Sequence, residues 1–242
     1  YVDHQLGALL ATLGRHRMRG ADADRPTVVI FTSDHGDQLG ERGLWYKMNF
    51  FEHACRVPLI VHAPDRVEPC TIGTHTSLLD IAPTLIDLAG IDVPAELDGS
   101  SLLSLVDGRT DIDRTVLGEY LGEGAIAPIF MIRRGDHKFV WSEPDGAQLF
   151  DVANDPSELN DLAADPDHAS AVAEFVAEVH RRWDPSTIDA AVRASQRDRA
   201  TVDRALRQGA FAPWDHQPMV DASGQYMRNH LDLNEVESTR RA

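Results

Sequence analysis

The sequence predicts an α/β fold, and three observations carry the prediction. Residues 1–18, YVDHQLGALLATLGRHRM, place Leu6, Leu9, Leu10 and Leu13 on one helical face at i, i+3, i+4 and i+7. Residues 27–33 (TVVIFTS) and 57–62 (within RVPLIVHA) are short, continuous apolar runs rich in β-branched residues, the pattern of strands buried on both faces of a parallel sheet. After Thr115 the texture changes to short strand-like runs separated by Gly, Pro and Asp, which is the pattern of an antiparallel sheet.

Each element follows in order. The opening stripe is a surface helix covering a sheet. The loop GADADRP leads into the first strand, whose carboxyl end falls at Asp34. After the second strand, HTSLLDIAPTLIDLAG predicts a helix with Leu78, Leu79, Ala82, Leu85, Ile86 and Ala89 inward and Gly90 as its C-cap. Pro83 within that pattern means a later start or a kink. TVLGEYL, PIFMIRR, HKFVWS and AQLFDV supply the antiparallel sheet, and a helix over residues 167–183 turns Val172, Phe175, Val176, Val179 and Trp183 to one side. A polar, arginine-rich helix over 186–208 and an irregular tail complete the chain. The expected organisation is an α/β part over 1–112, a small α+β subdomain over 113–210 and an extended tail over 211–242.

A doubly wound sheet normally has about five or more strands with helices on both faces, whereas two buried strands precede the change of texture. The chain therefore reads as the C-terminal portion of a longer protein, with most of the sheet upstream.

Composition narrows the partners. A hydrophobic content of 43% suffices for a sizeable core, and a net charge of −16 with a pI near 4.9 argues against nucleic acid or an anionic membrane surface as partner. No run approaches the roughly 20 apolar residues of a membrane span, and no signal peptide opens the chain, so a cytoplasmic location is expected. Cys55 and Cys70, too few for a disulfide scaffold, are expected to be reduced. Lys47 and Lys138 are the only lysines among 23 basic residues; elsewhere the chain uses arginine. A lysine matters where a compact point charge is needed instead of a planar fork.

The chemistry gathers at FTSDHGDQLGERGLWYKMNF, residues 31–50. Open α/β sheets collect ligands outside the carboxyl ends of their strands, which is where Asp34 and His35 fall. A carboxylate oxygen beside an imidazole nitrogen suits a divalent cation, with Mg, Mn or Ca favoured over structural zinc. Gly36 allows the chain to turn there. Two ligands do not complete a site, so others must come from elsewhere. The plainer alternative makes Asp34 a helix cap, His35 and Asp37 surface residues, and Lys47 a snorkelling lysine beside Trp45 and Tyr46.

FTSDHGDQLGERGLWYKMNFFEHACRVPLIVHAP resembles the C-terminal metal- and sulfate-binding stretch of the sulfatases of the alkaline phosphatase superfamily, choline sulfatases in particular. YVDHQLGALLATL, LLDIAPTLIDLAG and LDGSSLLSLV resemble the flanking helices and loop. GEYLGEGAIAPIFMIRRGDHKFVW and YMRNHLDLNEVE resemble choline sulfatases specifically. The resemblance implies an alkaline-phosphatase-like doubly wound sheet and a sulfuric ester hydrolase acting on choline-O-sulfate. It makes Asp34 and His35 metal ligands, with Ca, Mn or Mg as the cofactor, and gives Lys47 the sulfate and the charge on the leaving oxygen. Choline is a quaternary ammonium, recognised by aromatic faces and carboxylates. For its pocket the resemblance implies Glu123, with Glu119 as rival, and Asp232 in the tail, with Asn229 and His230 as neighbours. The tail also implies a homo-oligomer.

The formylglycine nucleophile of sulfatases is made from the cysteine of Cys-x-Pro-x-Arg, a sequence that these 242 residues do not contain. In Cys55-Arg56-Val57-Pro58 the proline is one place late, and Cys55 reads as a core thiol. The chain alone is therefore expected not to turn over sulfate esters. Two alternatives stay open: a phosphonate or phosphate monoester hydrolase of the same superfamily, and a non-catalytic remnant acting only in assembly.

Overall fold

The computed structural model describes residues 1–17, 27–63, 66–106 and 114–209, and the chain divides into two compact units, Tyr1–Ala190 and Ala191–Ala242. Asp232, Asn229, His230 and the assembly assigned to the tail lie outside the described residues.

Helix α1 spans Val2–Arg17, followed by β1 (Val29–Thr32), the short strands β2 (Gln38–Leu39) and β3 (Trp45–Tyr46), a single turn of helix α2 (Glu52–Cys55), and β4 (Leu59–His62). Strands β1 and β4 pair with each other, but antiparallel, Val29 opposite His62 and Thr32 opposite Leu59. The expectation of a parallel pair is corrected here. A run of β-branched residues reports strand propensity and not direction, and residues 33–58 bring the chain back alongside β1 without a crossover helix; the expected burial on both faces is corrected too, since β1 is half-buried and Ile60 of β4 is exposed.

Helix α3 (Ile81–Leu88) starts later than its apolar pattern, after a 3-10 turn at Leu78–Asp80, and this places Pro83 in its first turn. Ser77 and Asp80 form a capping box. The expected inward face is also corrected. Asp80, Pro83 and Thr84 are buried, while Leu78, Leu79 and Leu85 are exposed. The Asp80 carboxylate is drawn inside because it accepts hydrogen bonds from the backbone N–H of Ser77 (2.7 Å) and of Ser100 (2.9 Å) and pairs with Arg114 (2.6 Å). Gly90, at φ +73°, ends the helix in the left-handed turn expected of a C-cap, with Ile91 N–H reaching Ile86 O. On α1, Leu9 and Leu10 are likewise exposed.

A short helix α4 (Leu103–Val106) precedes a four-stranded antiparallel meander, β5 (Val116–Tyr120), β6 (Ile129–Arg134), β7 (His137–Ser142) and β8 (Gly146–Asp151), in that order. Helices α5 (Ala169–Arg182) and α6 (Pro185–Leu206) follow. Here the sequence expectations are met. Phe130, Ile132, Phe139, Trp141 and Leu149 from the sheet form one core with Phe175 and Val179 of α5, and Val172, Val176 and Trp183 pack at its margin. Phe139 stacks on Phe175 with ring centroids 5.2 Å apart. Among the described residues no helix is long and apolar enough to cross a membrane.

Candidate active site

Two residues beyond the end of β1, Asp34 and His35 face each other, His35 Nε2 lying 3.4 Å from Asp34 Oδ2. The local backbone fixes the pair. Ser33 Oγ donates to the carbonyl of His35 (2.7 Å), and the His35 backbone N–H donates to Asp34 Oδ1 (3.0 Å). Gly36 donates its N–H to Ala54 O (2.8 Å), and a side-chain carbon at position 36 would overlap the His53 carbonyl. Its φ is not in the left-handed region. What requires glycine is thus the close passage of α2, and not an unusual turn.

His35 Nδ1 lies 2.8 Å from the carbonyl of Gly36. A carbonyl only accepts, so Nδ1 carries the proton and Nε2 presents its lone pair. That lone pair meets Lys47 Nζ at 2.7 Å. Lys47 follows Tyr46, held at φ +70°, in a hairpin that also has positive φ at Gly40, Arg42 and Gly43. Gln38 is fully buried at the base of the hairpin, where its Nε2 donates to Asn49 Oδ1 (3.2 Å).

Asp34, His35 and Lys47 thus converge. The Asp34 side chain is 84% exposed and that of His35 32%, so both can be approached from outside. Burial nudges the Asp34 carboxyl upward, but the His35 backbone N–H, the His35 ring and Lys47 hold it below the ordinary aspartate value, so the group is a carboxylate at neutral pH. An ionised oxygen and an imidazole lone pair suit a divalent cation of the Mg, Mn or Ca type. The Gly36 carbonyl orients the ring as outer partners of metal-bound histidines do. Among the described residues no third carboxylate, histidine or cysteine completes the set.

Glu123 is exposed on the loop after β5, where Tyr120 Oη donates to its backbone carbonyl at 2.7 Å and lies 3.5 Å from Oε2. Burial and the Glu123 charge push the Tyr120 hydroxyl above its usual value. Its rival Glu119 is already engaged, accepting from the Trp183 indole N–H at 2.6 Å. Cys55, a free thiol, points inward and donates to Phe50 O at 3.1 Å. Burial raises its pKa, the behaviour of a structural thiol and not of a nucleophile. A cavity of about 540 Å³ opens between β4, residues 67–76 and α4, and Asp34, His35, Lys47 and Glu123 do not line it.

Sequence reasoning missed a buried ionic cluster behind the Lys47 segment. Lys138 of β7, 1% exposed, pairs with the fully buried Glu158 at 2.9 Å and with Glu52 of α2. The available signal was the rarity of lysine, which singles out Lys138 together with Lys47.

The chain belongs to the sulfatase family: residues 40–184 match the family model described as N-sulphoglucosamine sulphohydrolase, C-terminal, and the fold is of the alkaline-phosphatase-like α/β class shared by its solved neighbours. Residues 190–241 match a second model, choline sulfatase enzyme C terminal. Among individual relatives, the chain is 47% identical to choline-sulfatase of Rhizobium meliloti (strain 1021) over 250 aligned residues, covering all of this chain and 47% of that protein. The chain thus spans about half the length of that relative. A protein solved in complex with its substrate D-glucosamine-2-N,6-O-disulfate superposes with TM-score 0.61 at 27% identity, over 75% of this chain and 38% of that one. Phosphonate monoester hydrolase from Silicibacter pomeroyi gives the same TM-score, identity and coverage.

Proposed function

We propose that the chain supplies the downstream half of the site of a metal-dependent sulfuric ester hydrolase of choline-sulfatase type, which converts choline-O-sulfate to choline and sulfate. The observation that carries this reading is the convergence of a carboxylate, an imidazole lone pair and the Lys47 ammonium at the end of β1. Asp34 and His35 would hold a divalent cation, His35 through the Nε2 lone pair that Lys47 would give up as it turns to the sulfate; when bound, the cation supplies a Lewis acid for the sulfate oxygens. Lys47 presents its N–H groups to the sulfate and to the ester oxygen. As the S–O bond breaks, negative charge grows on the choline oxygen, and the ammonium stabilises it more in the transition state than in the ground state. Glu123 and the tail residue Asp232 are the carboxylates assigned to recognition of the trimethylammonium group, for which a carboxylate offers charge without requiring a hydrogen-bond donor. The match of residues 190–241, which include Asp232, to the choline sulfatase C-terminal model supports the choline-type reading. The formylglycine nucleophile and the remaining metal ligands would come from polypeptide upstream, and the tail would join copies of the protein.

The similarity to a phosphonate monoester hydrolase supports a second reading, because a phosphonate monoester also presents a tetrahedral anionic centre to a metal and a lysine. A substrate panel decides between them. Choline-O-sulfate, an aryl sulfate and an aryl phosphonate monoester are offered to the protein joined to an upstream sulfatase half. Preference for choline-O-sulfate, lowered selectively by Glu123→Gln, is the expected result. Preference for the phosphonate overturns the sulfatase reading.

A further inference from the structure

The ionic cluster behind the site touches the chain on both sides of Lys47. On the upstream flank, the Arg42 guanidinium donates to the backbone carbonyls of Ser157 and Glu158 and lies 4.0 Å over the Phe51 ring. On the downstream flank, Glu158 Oε2 accepts the Glu52 backbone N–H at 2.7 Å. Lys138 Nζ, already paired with the Glu52 and Glu158 carboxylates, also donates to Phe50 O at 2.9 Å.

The hydrogen bonds continue from there to the site. Phe51 N–H donates to Asn49 Oδ1 at 3.0 Å, and Asn49 N–H donates to the carbonyl of Lys47 at 2.8 Å. Lys47 therefore lies between two anchors that both end on the Ser157–Glu158 loop. Glu158 is itself held at φ +53°, a conformation that persists in a non-glycine residue only when its surroundings over-determine it. Its carbonyl faces one flank and its carboxylate the other.

We propose that Glu158 and its counter-ion Lys138 are positioning residues: through Arg42 in the hairpin turn and Glu52 beyond the hairpin they clamp the chain on both sides of Lys47, and so aim Lys47 at His35 and the anion that Lys47 serves. The part concerning the anion rests on the sulfatase reading above; the placement of Lys47 does not. The physical argument is one of rigidity. An exposed lysine on a flexible stem samples many rotamers, and its tip is directed only as well as its backbone is fixed. The clamp also gives the small sheet a role at the site, since Lys138 lies on β7 and Glu158 in the loop that follows β8.

The chain's two lysines allow a direct test. With lysine labelled at the ε-carbon, the NMR spectrum of the chain holds two side-chain resonances, and Lys138→Met assigns them. His35→Ala marks where the Lys47 resonance falls once its partner is removed. Glu158→Gln and Arg42→Ala are each expected to move the Lys47 resonance toward that position, while the signals of the β5–β8 core stay in place. A general loss of stability would not move one surface resonance in a folded chain. Should Glu158→Gln fail to fold, Arg42→Ala decides, since Arg42 is exposed and touches the loop through backbone carbonyls. A Lys47 resonance unmoved in folded Arg42→Ala overturns the proposal.

Turnover provides a separate arm in the protein joined to its upstream half. Arg42→Ala is expected to lower kcat by about 10- to 100-fold with little change in KM, the size expected of a misplaced catalytic group. It should also steepen the dependence of rate on leaving-group acidity, as is expected of Lys47→Ala. If Lys47→Ala lowers kcat and Arg42→Ala does not, the clamp fails and the sulfatase reading survives. If Lys47→Ala leaves sulfate-ester turnover unchanged, the sulfatase reading fails, and the spectrum alone judges the placement of Lys47.

Discussion

Lys47 and His35 show what a single contact decides. The Gly36 carbonyl accepts a hydrogen bond from Nδ1–H, so Nε2 faces Lys47 and Asp34 as a lone pair. Lys47→Ala removes the cation without disturbing that tautomer. In the protein joined to its upstream half it is expected to lower kcat for choline-O-sulfate by about 10²–10³-fold, the loss typical of one removed transition-state donor, measured as initial rates of sulfate release. Asp184 gives a prediction that needs no catalysis. Its carboxylate accepts from Ser186 Oγ (2.7 Å), Thr187 N–H (3.1 Å) and Thr187 Oγ1 (2.7 Å) at the start of α6. These hydrogen bonds, the Ser186 hydroxyl foremost, lower its pKa to about 2 from an ordinary 3.8. Because the folded value is the lower one, the cap's contribution is complete above 3.8 and is lost as pH falls through about 2. The Thr187 amide shift should titrate with that lower midpoint, and a midpoint at the ordinary aspartate value would show that the cap does not form.

At the scale of elements, the small sheet and α5 were legible because the residues of their shared apolar core follow the sequence period. Alternate residues of β6 and β7 and the i, i+3, i+4 stripe of α5 meet in one core. Phe139, fully buried and stacked on Phe175, is expected to cost about 3–5 kcal/mol when changed to Ala, measured by urea denaturation. Leu159→Ala, at a position 73% exposed, should stay within about 0.5 kcal/mol. Helix α3 was misread for the opposite reason. Its leucines outvoted Asp80 and Thr84 in the pattern, yet Asp80 is satisfied inside by Arg114 and two backbone N–H groups, and Thr84 Oγ1 donates to Asp80 O (2.6 Å) and accepts from Leu102 N–H (2.9 Å). A paired polar group can be buried, and no hydrophobic period records the pairing.

For the molecule as a whole, the decisive matter is what this chain brings to the proposed site. Two metal-type ligands and a cation are present, and no Cys-x-Pro-x-Arg occurs in the sequence. The purified chain is therefore expected to release no sulfate from choline-O-sulfate, whereas the same chain joined to an upstream sulfatase half should do so in a metal-dependent way. Appreciable turnover by the chain alone would contradict this, and chelator resistance of the joined protein would remove Asp34 and His35 from their proposed role.

The sequence by itself determined the longer helices, the sheet after Thr115 and the adjacency of Asp34 and His35, because these depend on local period and on neighbours in the chain; the short elements β2, β3, α2 and α4 were not read from it. It also marked Lys47 and Lys138 by their rarity. Only the tertiary structure decided that β1 and β4 run antiparallel, that α3 buries Asp80, and that Glu158 joins the chain on both sides of Lys47, more than a hundred residues earlier. Pairing direction and buried ion pairs depend on which distant groups arrive to satisfy one another, and that information is held by no single stretch of the chain.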